Sequence, residues 1–337
     1  MKRNILVTGS AGFIGFHLTK SLLEKGFSVV GVDNLNDYYD PQLKQNRLDY
    51  LNNFVKDRDI SGHYDFLKLD ISDDKALDRL FSDHHFDIVI NLAAQAGVRY
   101  SIENPKAYVN SNLVGFANIL ECCRHGKIGH LLFASSSSVY GMNVKQPFSV
   151  SDNTDHPVSL YAATKKSNEL LAYSYSHLYD IPCTGLRFFT VYGPYGRPDM
   201  AYYSFSEAIN KGKPIDVFNH GEMERDFTYI DDIVLGVMAL LETPPEPQYN
   251  EITKSQARFK VYNIGNNAPI SLRRFISAIE ASLGKKAIEK MLPMQPGDVL
   301  STFADIDPLV AICDFRPNTP IEIGMEKFIS WYLQYIK

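Results

Sequence analysis

The sequence predicts an α/β protein built on a doubly wound parallel sheet with a smaller C-terminal lobe. Three observations carry that prediction. Short apolar runs alternate with helix-length segments from residue 5 to about residue 189. The first run leads into Gly9-x-x-Gly12-x-x-Gly15, directly before a helical segment. The second run ends in a carboxylate, Asp33. Alternation of this kind implies right-handed crossovers between parallel strands, and a glycine-rich first crossover marks the Rossmann-type, dinucleotide-binding form of such a sheet.

Taken in order, Ile5-Leu6-Val7 reads as a buried strand. Phe13 to Lys25 reads as a helix stopped by Gly26, and Phe27 to Val32 as the second strand. Asn34 to His63 is long and polar and carries Tyr38 and Tyr39; loops of this length usually have a role or are partly helical. Tyr64 to Leu69 is the third strand, Asp73 to Ser82 a helix, and Phe86 to Leu92 the fourth strand. A long helix over Ala107 to His125 precedes a fifth strand, His130 to Ala134. A second long helix, Val158 to Tyr179, precedes a sixth strand, Pro182 to Phe189. Beyond about Gly193 the rhythm loosens and prolines cluster. We therefore place a dinucleotide-binding domain at 1–189, with residues 227–242 returning to it as a helix, and a substrate lobe at 190–337. Ser271 to Leu283 is a helix of that lobe, and Pro244 to Gln256 a flexible loop.

The bulk numbers exclude several classes. A net charge of -5 leaves no basic footprint for nucleic acid or for a membrane surface. No run approaches the ~18 apolar residues of a membrane span. The apolar run of Met1 to Gly9 is too short for a signal peptide, so a soluble, cytoplasmic protein is expected. Cys122, Cys123, Cys183 and Cys313 match no zinc spacing, and no metal is expected. Buried reduced thiols fit a reducing compartment.

The glycine pattern gives the first functional expectation. Its glycines allow a tight turn and close approach of the backbone to a pyrophosphate, which would sit on amides at the helix start with Phe13 and Ile14. Asp33, followed by Asn34, would accept from ribose hydroxyls. It would repel a 2′-phosphate, and Asn34-Leu35 supplies no neighbouring cation, so NAD is expected over NADP. Asp70-Ile71 ends the third strand and could hold the adenine edge; a helix cap is the rival reading for Asp70. Leu92-Ala93-Ala94 ends the fourth strand with small side chains that would admit the cofactor.

The second expectation is hydride chemistry at a sugar carbon. Tyr161 and Lys165 stand four residues apart, on one helix face. A fixed ammonium lowers a phenol's pKa from ~10, so the phenolate can take a hydroxyl proton while a nicotinamide accepts the hydride. Ser135 to Ser138 follows the fifth strand at the carboxyl edge, where such sheets bind ligands. A serine-rich turn satisfying its own backbone is the plain alternative.

Together these marks resemble the extended short-chain dehydrogenases/reductases of the nucleotide-sugar epimerase/dehydratase group, over essentially the full length. They are Val7 to Gly15, Asn91 to Ala94, Ser135 to Gly141, Tyr161 with Lys165, Arg187 to Pro194, and Arg225-Asp226-Phe227. Within the group, Asp33 to Asp40, Ala94 to Ser101 and Gly196 to Ala201 resemble the UDP-glucuronate 4-epimerase branch, although Tyr195 stands where such epimerases often carry Trp. The resemblance implies a catalytic set of Ser136, Tyr161 and Lys165. It implies contacts to a UDP-sugar from Asn112, Thr190, Arg225 and Asp298, with Met200 in a substrate-side segment. It also implies a homodimer paired through the two long helices.

The fate of the ketone is read from groups the serine run lacks. Dehydration needs a carboxylate acid/base pair. Dehydrating relatives carry Asp and Glu where this chain has Ser137 and Ser138, and decarboxylating relatives carry Glu. The ketone should therefore rotate and be reduced again from its other face, inverting C4. Arg197, with the hydroxyls of Ser137 and Ser138, would hold a uronate carboxylate; Arg99 is a second candidate cation. For Arg197 the rival reading is a loop ion pair with Asp199. A 4-epimerase of neutral UDP-hexoses, a UDP-glucuronate decarboxylase and a non-catalytic NAD-binding regulator are the competing functions.

Overall fold

Ile5, Leu6 and Val7 are fully buried, as a strand covered on both faces requires. They form β1 (Asn4–Thr8), whose partners on either side, β2 (Ser28–Asp33) and β4 (Ile88–Asn91), both run parallel to it. Helix α1 (Phe13–Glu24) follows the glycine turn. This computed structural model describes residues 3–60, 63–251, 254–294, 300–313 and 316–337.

The segment after β2 contains a full helix, α2 (Pro41–Asp57), so much of the expected long loop is helical. Asp40 caps it by accepting from Gln42 N, and Pro41 occupies the first turn, where a missing N–H costs nothing. Its buried stripe includes two cations, Lys44 and Arg47, among Leu43, Leu48, Leu51, Phe54 and Val55. Those cations interrupt the apolar period and hid the helix from a hydropathy reading.

The sheet continues with β3 (Tyr64–Lys68), α3 (Asp74–Asp83) and β4. The expected helix over 107–125 is broken into pieces. After a short α4 (Tyr100–Glu103), the region holds the end of α5 (Pro105–Tyr108), a π-turn over Val109–Val114, and α6 (Gly115–Gly126). Then come β5 (His130–Ser136), a 3₁₀ turn (Ser137–Tyr140), α7 (Leu160–Tyr179) and β6 (Cys183–Phe188). A late strand, β13 (Phe259–Ile264), completes the sheet, and the strand order is β13-β6-β5-β4-β1-β2-β3. The order reverses beside β1, and the carboxyl end of β1 is thus the expected ligand edge. One face of the sheet buries Leu6, Val89, Leu131 and Phe133 against Leu77 and Leu80 of α3 and Phe116, Ile119 and Leu120 of α6.

The chain divides into two compact units. The first comprises 1–141, 153–187 and 237–262. The returning segment is thus longer and later than the expected 227–242, and residues 142–152 belong to the other unit. Within the return, β11 (Gln248–Asn250) and β12 (Ser255–Ala257) form an antiparallel pair in the stretch read as a flexible loop.

The second unit comprises 142–152, 188–236 and 263–337. It holds β7 (Thr190–Tyr192) beside β10 (Phe227–Tyr229), and β8 (Pro214–Phe218) parallel to β15 (Ile288–Leu292). Strand β9 (Glu224–Arg225) pairs with β14 (Ile270–Ser271). Helices α8 (Ala201–Asn210), α10 (Leu272–Leu283) and α12 (Ile321–Tyr335) cover an aromatic core. There Phe227 stacks on Phe275 with ring centroids 4.5 Å apart, and Tyr203 and Tyr332 pack edge to face. Helix α11 (Asp307–Cys313) also belongs to this unit, while α9 (Ile230–Leu240) begins in it and its last residues, from Val237, belong to the first. Among the described residues no helix is long and apolar enough to cross a membrane.

Candidate active site

The glycine turn is shaped as a cradle. Gly9 has φ +70°, and a Cβ placed there would lie 2.8 Å from Ala93 N and 2.9 Å from Leu92 C. The backbone at Leu92 and Ala93 thus packs directly against the glycine turn. Gly12 N donates to Gly9 O at 2.9 Å, and a Cβ on Gly15 would collide with the same carbonyl. Helix α1 begins at Phe13 without a side-chain cap, which leaves its first amides for a ligand. Phe13 itself is buried and Ile14 half-buried. A dinucleotide's pyrophosphate fits this donor set.

At the end of β2, Asp33 accepts from Leu35 N at 2.9 Å, and Lys44 Nζ lies 3.8 Å from its Oδ1. Asn34-Leu35 supplies no cation, as read, but α2 delivers one eleven residues after Asp33. Burial lowers the Lys44 pKa, with Asp33 opposing. Arg47, fully buried, donates to Ala11 O inside the glycine turn and to Tyr39 Oη, both at 2.7 Å.

Asn34 donates to Asp70 Oδ2 at 2.8 Å, and Ser72 donates to Asp70 Oδ1 through its amide and hydroxyl. Burial alone would raise the Asp70 pKa, but those hydrogen bonds outweigh it and hold the carboxyl low. Asp70 is not the cap of α3; Asp73 is. Ile71 packs in the core against Gly115, so only its backbone is left for a cofactor.

Tyr161 stands in the first turn of α7, where Ser159 caps the helix by accepting from Ala162 N. Its half-buried ring meets Tyr108 edge to face at 6.1 Å. One turn on, Lys165 is buried and donates to Ala134 O at 3.0 Å. Desolvation lowers its pKa to about 8. A buried ammonium whose proton is this weakly held suits a group that must orient and share protons near neutral pH.

The serine run splits by direction. Ser135 donates to Glu169 Oε1 at 2.6 Å. Glu169 also takes a bidentate pair from buried Arg187, with both bonds at 2.8 Å. Ser136 accepts from Ser138 N at 3.1 Å, capping the 3₁₀ turn, and its hydroxyl donates to Ser138 Oγ at 3.2 Å. Ser137 and Ser138 remain half-buried. Glu169 continues the Tyr161–Lys165 face by another turn, a signal present in the sequence that pattern reasoning missed.

Asn112 lies within the π-turn and is buried. Its Oδ1 accepts from Gln95 N at 2.8 Å, and its Nδ2 donates to Gln95 O and to Thr164 Oγ1, both at 3.1 Å. These bonds tie the β4 loop to α7. Arg99 is exposed at the start of α4.

The remaining substrate candidates belong to the second unit. Thr190 opens β7 and donates its amide to Asp226 O. Arg197 is held bidentately by Asp199, the rival arrangement the sequence allowed. Its amide donates to Tyr202 Oη at 2.8 Å. Met200 occupies the cap position of α8. Arg225 donates to Glu224 O at 2.8 Å and to Leu300 O. Asp298 lies outside the described residues. Buried Asp226 accepts from the amides of Asn266, Asn267 and Ala304 and so organises the loops around Arg225; nothing but its place in the motif pointed to it.

This geometry meets its counterpart in known proteins. A family model described as the NAD dependent epimerase/dehydratase family matches residues 5–265. The chain belongs to the NAD-dependent epimerase/dehydratase family. As an epimerase/dehydratase it is an NAD-dependent enzyme with the doubly wound fold expected. It is 54% identical over 339 residues to Protein CapI of Staphylococcus aureus, covering 99% of each chain. It is 47% identical over 337 residues to a probable UDP-glucuronate 4-epimerase of Rhizobium meliloti, covering 98% of this chain and 96% of that one. Among solved structures of this epimerase/dehydratase family, the UDP-glucuronic acid 4-epimerase of Bacillus cereus in complex with UDP-glucuronic acid and NAD is similar. It is 34% identical with a TM-score of 0.85, over 98% of this chain and 99% of that one.

Proposed function

We propose that this enzyme inverts C4 of UDP-glucuronate to give UDP-galacturonate, through a transient 4-ketone and with no net redox change. One observation carries the choice within the family: Ser137 and Ser138, in the serine run upstream of Tyr161 and Lys165, carry hydroxyls, not carboxylates. The similarity to proteins named UDP-glucuronate 4-epimerase supports the same substrate.

NAD, when bound, supplies a reversible hydride acceptor. The glycine turn 9–15, Asp33 with Lys44, and the backbone at 92–94 would hold it. Tyr161 takes the proton of the C4 hydroxyl and returns it after the ketone has turned. Lys165, oriented by Ala134 O, stabilises the phenolate; its lowered pKa keeps it exchangeable. Ser136 donates to the oxygen at C4, and no nearby carboxylate from the serine run removes a C5 proton. Thr190, Met200 and Arg225 bind the nucleotide sugar, and Arg197 leaves Asp199 to take the uronate carboxylate.

A second reading has one observation in its favour. Arg197 is already satisfied by Asp199, as it would be in an epimerase of neutral hexoses. Incubation with UDP-glucuronate followed by proton NMR separates the two. Conversion to the C4 epimer is expected. A pentose product would replace the proposal with decarboxylation, and turnover of UDP-glucose at an equal rate would replace it with the neutral-sugar reading.

We also place the protein in the cytoplasm as a homodimer. Val114 on the π-turn and Leu170 and Leu178 on α7 are exposed apolar side chains that a second copy would cover. Sedimentation at monomer mass would refute the dimer.

A further inference from the structure

We propose that the segments leaving β2 and β4 form a strap, pinned where Tyr38 meets Tyr100, that closes over the glycine turn and retains NAD between turnovers. The inference rests on the cofactor reading above. Its basis is topological. Strand β1 lies between β4 and β2, and the three run parallel, so their following segments leave from one edge. The turn after β1 is the cradle at Gly9 to Gly15. The chains that leave its two neighbours nevertheless touch each other. The rings of Tyr38 and Tyr100 lie 4.9 Å apart, tilted by 43°. Such a contact joins the segment after β2 to the segment after β4, spanning the position of β1.

Both ends of the strap are fixed. On the β2 side, Tyr39 Oη accepts from Arg47, whose same Nη1 donates to Ala11 O within the glycine turn. Lys44 donates to Asn36 Oδ1 at 2.9 Å and sits over the Tyr39 ring at 5.2 Å. On the β4 side, Tyr108 Oη donates to Ala96 O at 2.8 Å and contacts Gly97 O. Gly97 has φ +99°, and a Cβ there would collide with Tyr38 Oη. The backbone is thus shaped to admit Tyr38. The pin itself is a half-buried ring pair, strong enough to close and weak enough to open. Retention has a chemical purpose in this reaction: the enzyme must return the hydride it removes, so a departing reduced cofactor would strand the ketone.

The test is cofactor exchange. Protein loaded with radiolabelled NAD is chased with excess unlabelled NAD, and bound label is followed by rapid filtration. Tyr38→Ala and Tyr100→Ala, which lie on separate segments, are each expected to speed release about 2- to 10-fold, the range of one aromatic pair. The double variant should be no faster than the faster single one, because both remove the same contact. Tyr38→Phe keeps the ring and should release label near the wild-type rate. Circular dichroism confirms that each variant is folded. Wild-type release rates in both folded alanine variants would overturn the strap while leaving the cofactor reading intact; so would accelerations that multiply in the double variant. Wild-type protein that neither carries nor takes up NAD would overturn both.

Discussion

Replacing Glu169 with Gln tests whether its buried pairing with Arg187 is an electrostatic anchor. Glu169 and Arg187 each expose only 4% of their side chains, and three donors converge on the carboxylate. The amide offers one acceptor oxygen in place of two and turns an N–H toward the guanidinium. Arg187 is then left buried with its charge uncompensated; Glu169 is what holds its pKa above the usual value against desolvation. Removing one partner of a buried pair costs about 3–5 kcal/mol. At about 2–4 °C per kcal/mol for a unit of this size, the melting temperature should fall by roughly 6–20 °C. Replacing both partners by apolar groups, Glu169→Leu with Arg187→Met, should recover most of the loss, since a well-packed apolar pair is often neutral or better. Thermal unfolding followed by near-UV circular dichroism at pH 7 reads all three proteins. If Glu169→Gln melts within about 1 °C of wild type, or if the double variant is less stable than the single, the pair is not an electrostatic anchor.

Other expectations are narrower. Tyr161→Phe should cut turnover by about 10²- to 10⁴-fold while NAD binding persists, and unchanged turnover would remove Tyr161 from the mechanism. Arg197→Met should lower kcat/KM for UDP-glucuronate roughly 10- to 150-fold, the worth of a charge-assisted hydrogen bond, and spare UDP-glucose; equal losses on both sugars would reassign it. His130 is buried and burial lowers its pKa to about 4, below the 6.5 of the unfolded chain. Only the unfolded state gains its proton between those values, so its stability contribution is present above about pH 6.5 and is lost as pH falls toward 4, by about 3 kcal/mol. Urea midpoints at pH 7 and pH 4.5 should differ less in His130→Gln than in wild type; an identical difference would refute the assignment.

The parts legible in the sequence are those whose chemistry is local. Gly9, Gly12 and Gly15 stand within one turn and a helix start, and Tyr161 and Lys165 on one helix face. Asp33 was legible as a carboxylate at a strand end, whereas its neighbour Lys44 was not, because Lys44 reaches it from a different element. Asn112 was visible as a polar residue in a helical stretch, but only the π-turn shows that its side chain is turned inward to Gln95 and Thr164. Parallel pairing of β8 with β15 joins segments about seventy residues apart, and no periodicity announces it. Arg187 and Glu169 lie on different elements, so although each was visible in the sequence, their pairing was not.

The return of residues 237–262 to the first unit has a consequence for how the chain is made. Strand β6 borders β5 on one side and β13 on the other, and β13 begins only at Phe259. A nascent chain released up to β6 therefore carries an unpaired sheet edge while the whole 188–236 stretch of the other unit is still being synthesised. Excising 1–189 as an independent fragment would make that transient edge permanent. A severed fragment that keeps both active-site motifs should aggregate, and supplying 237–264 in trans should rescue it.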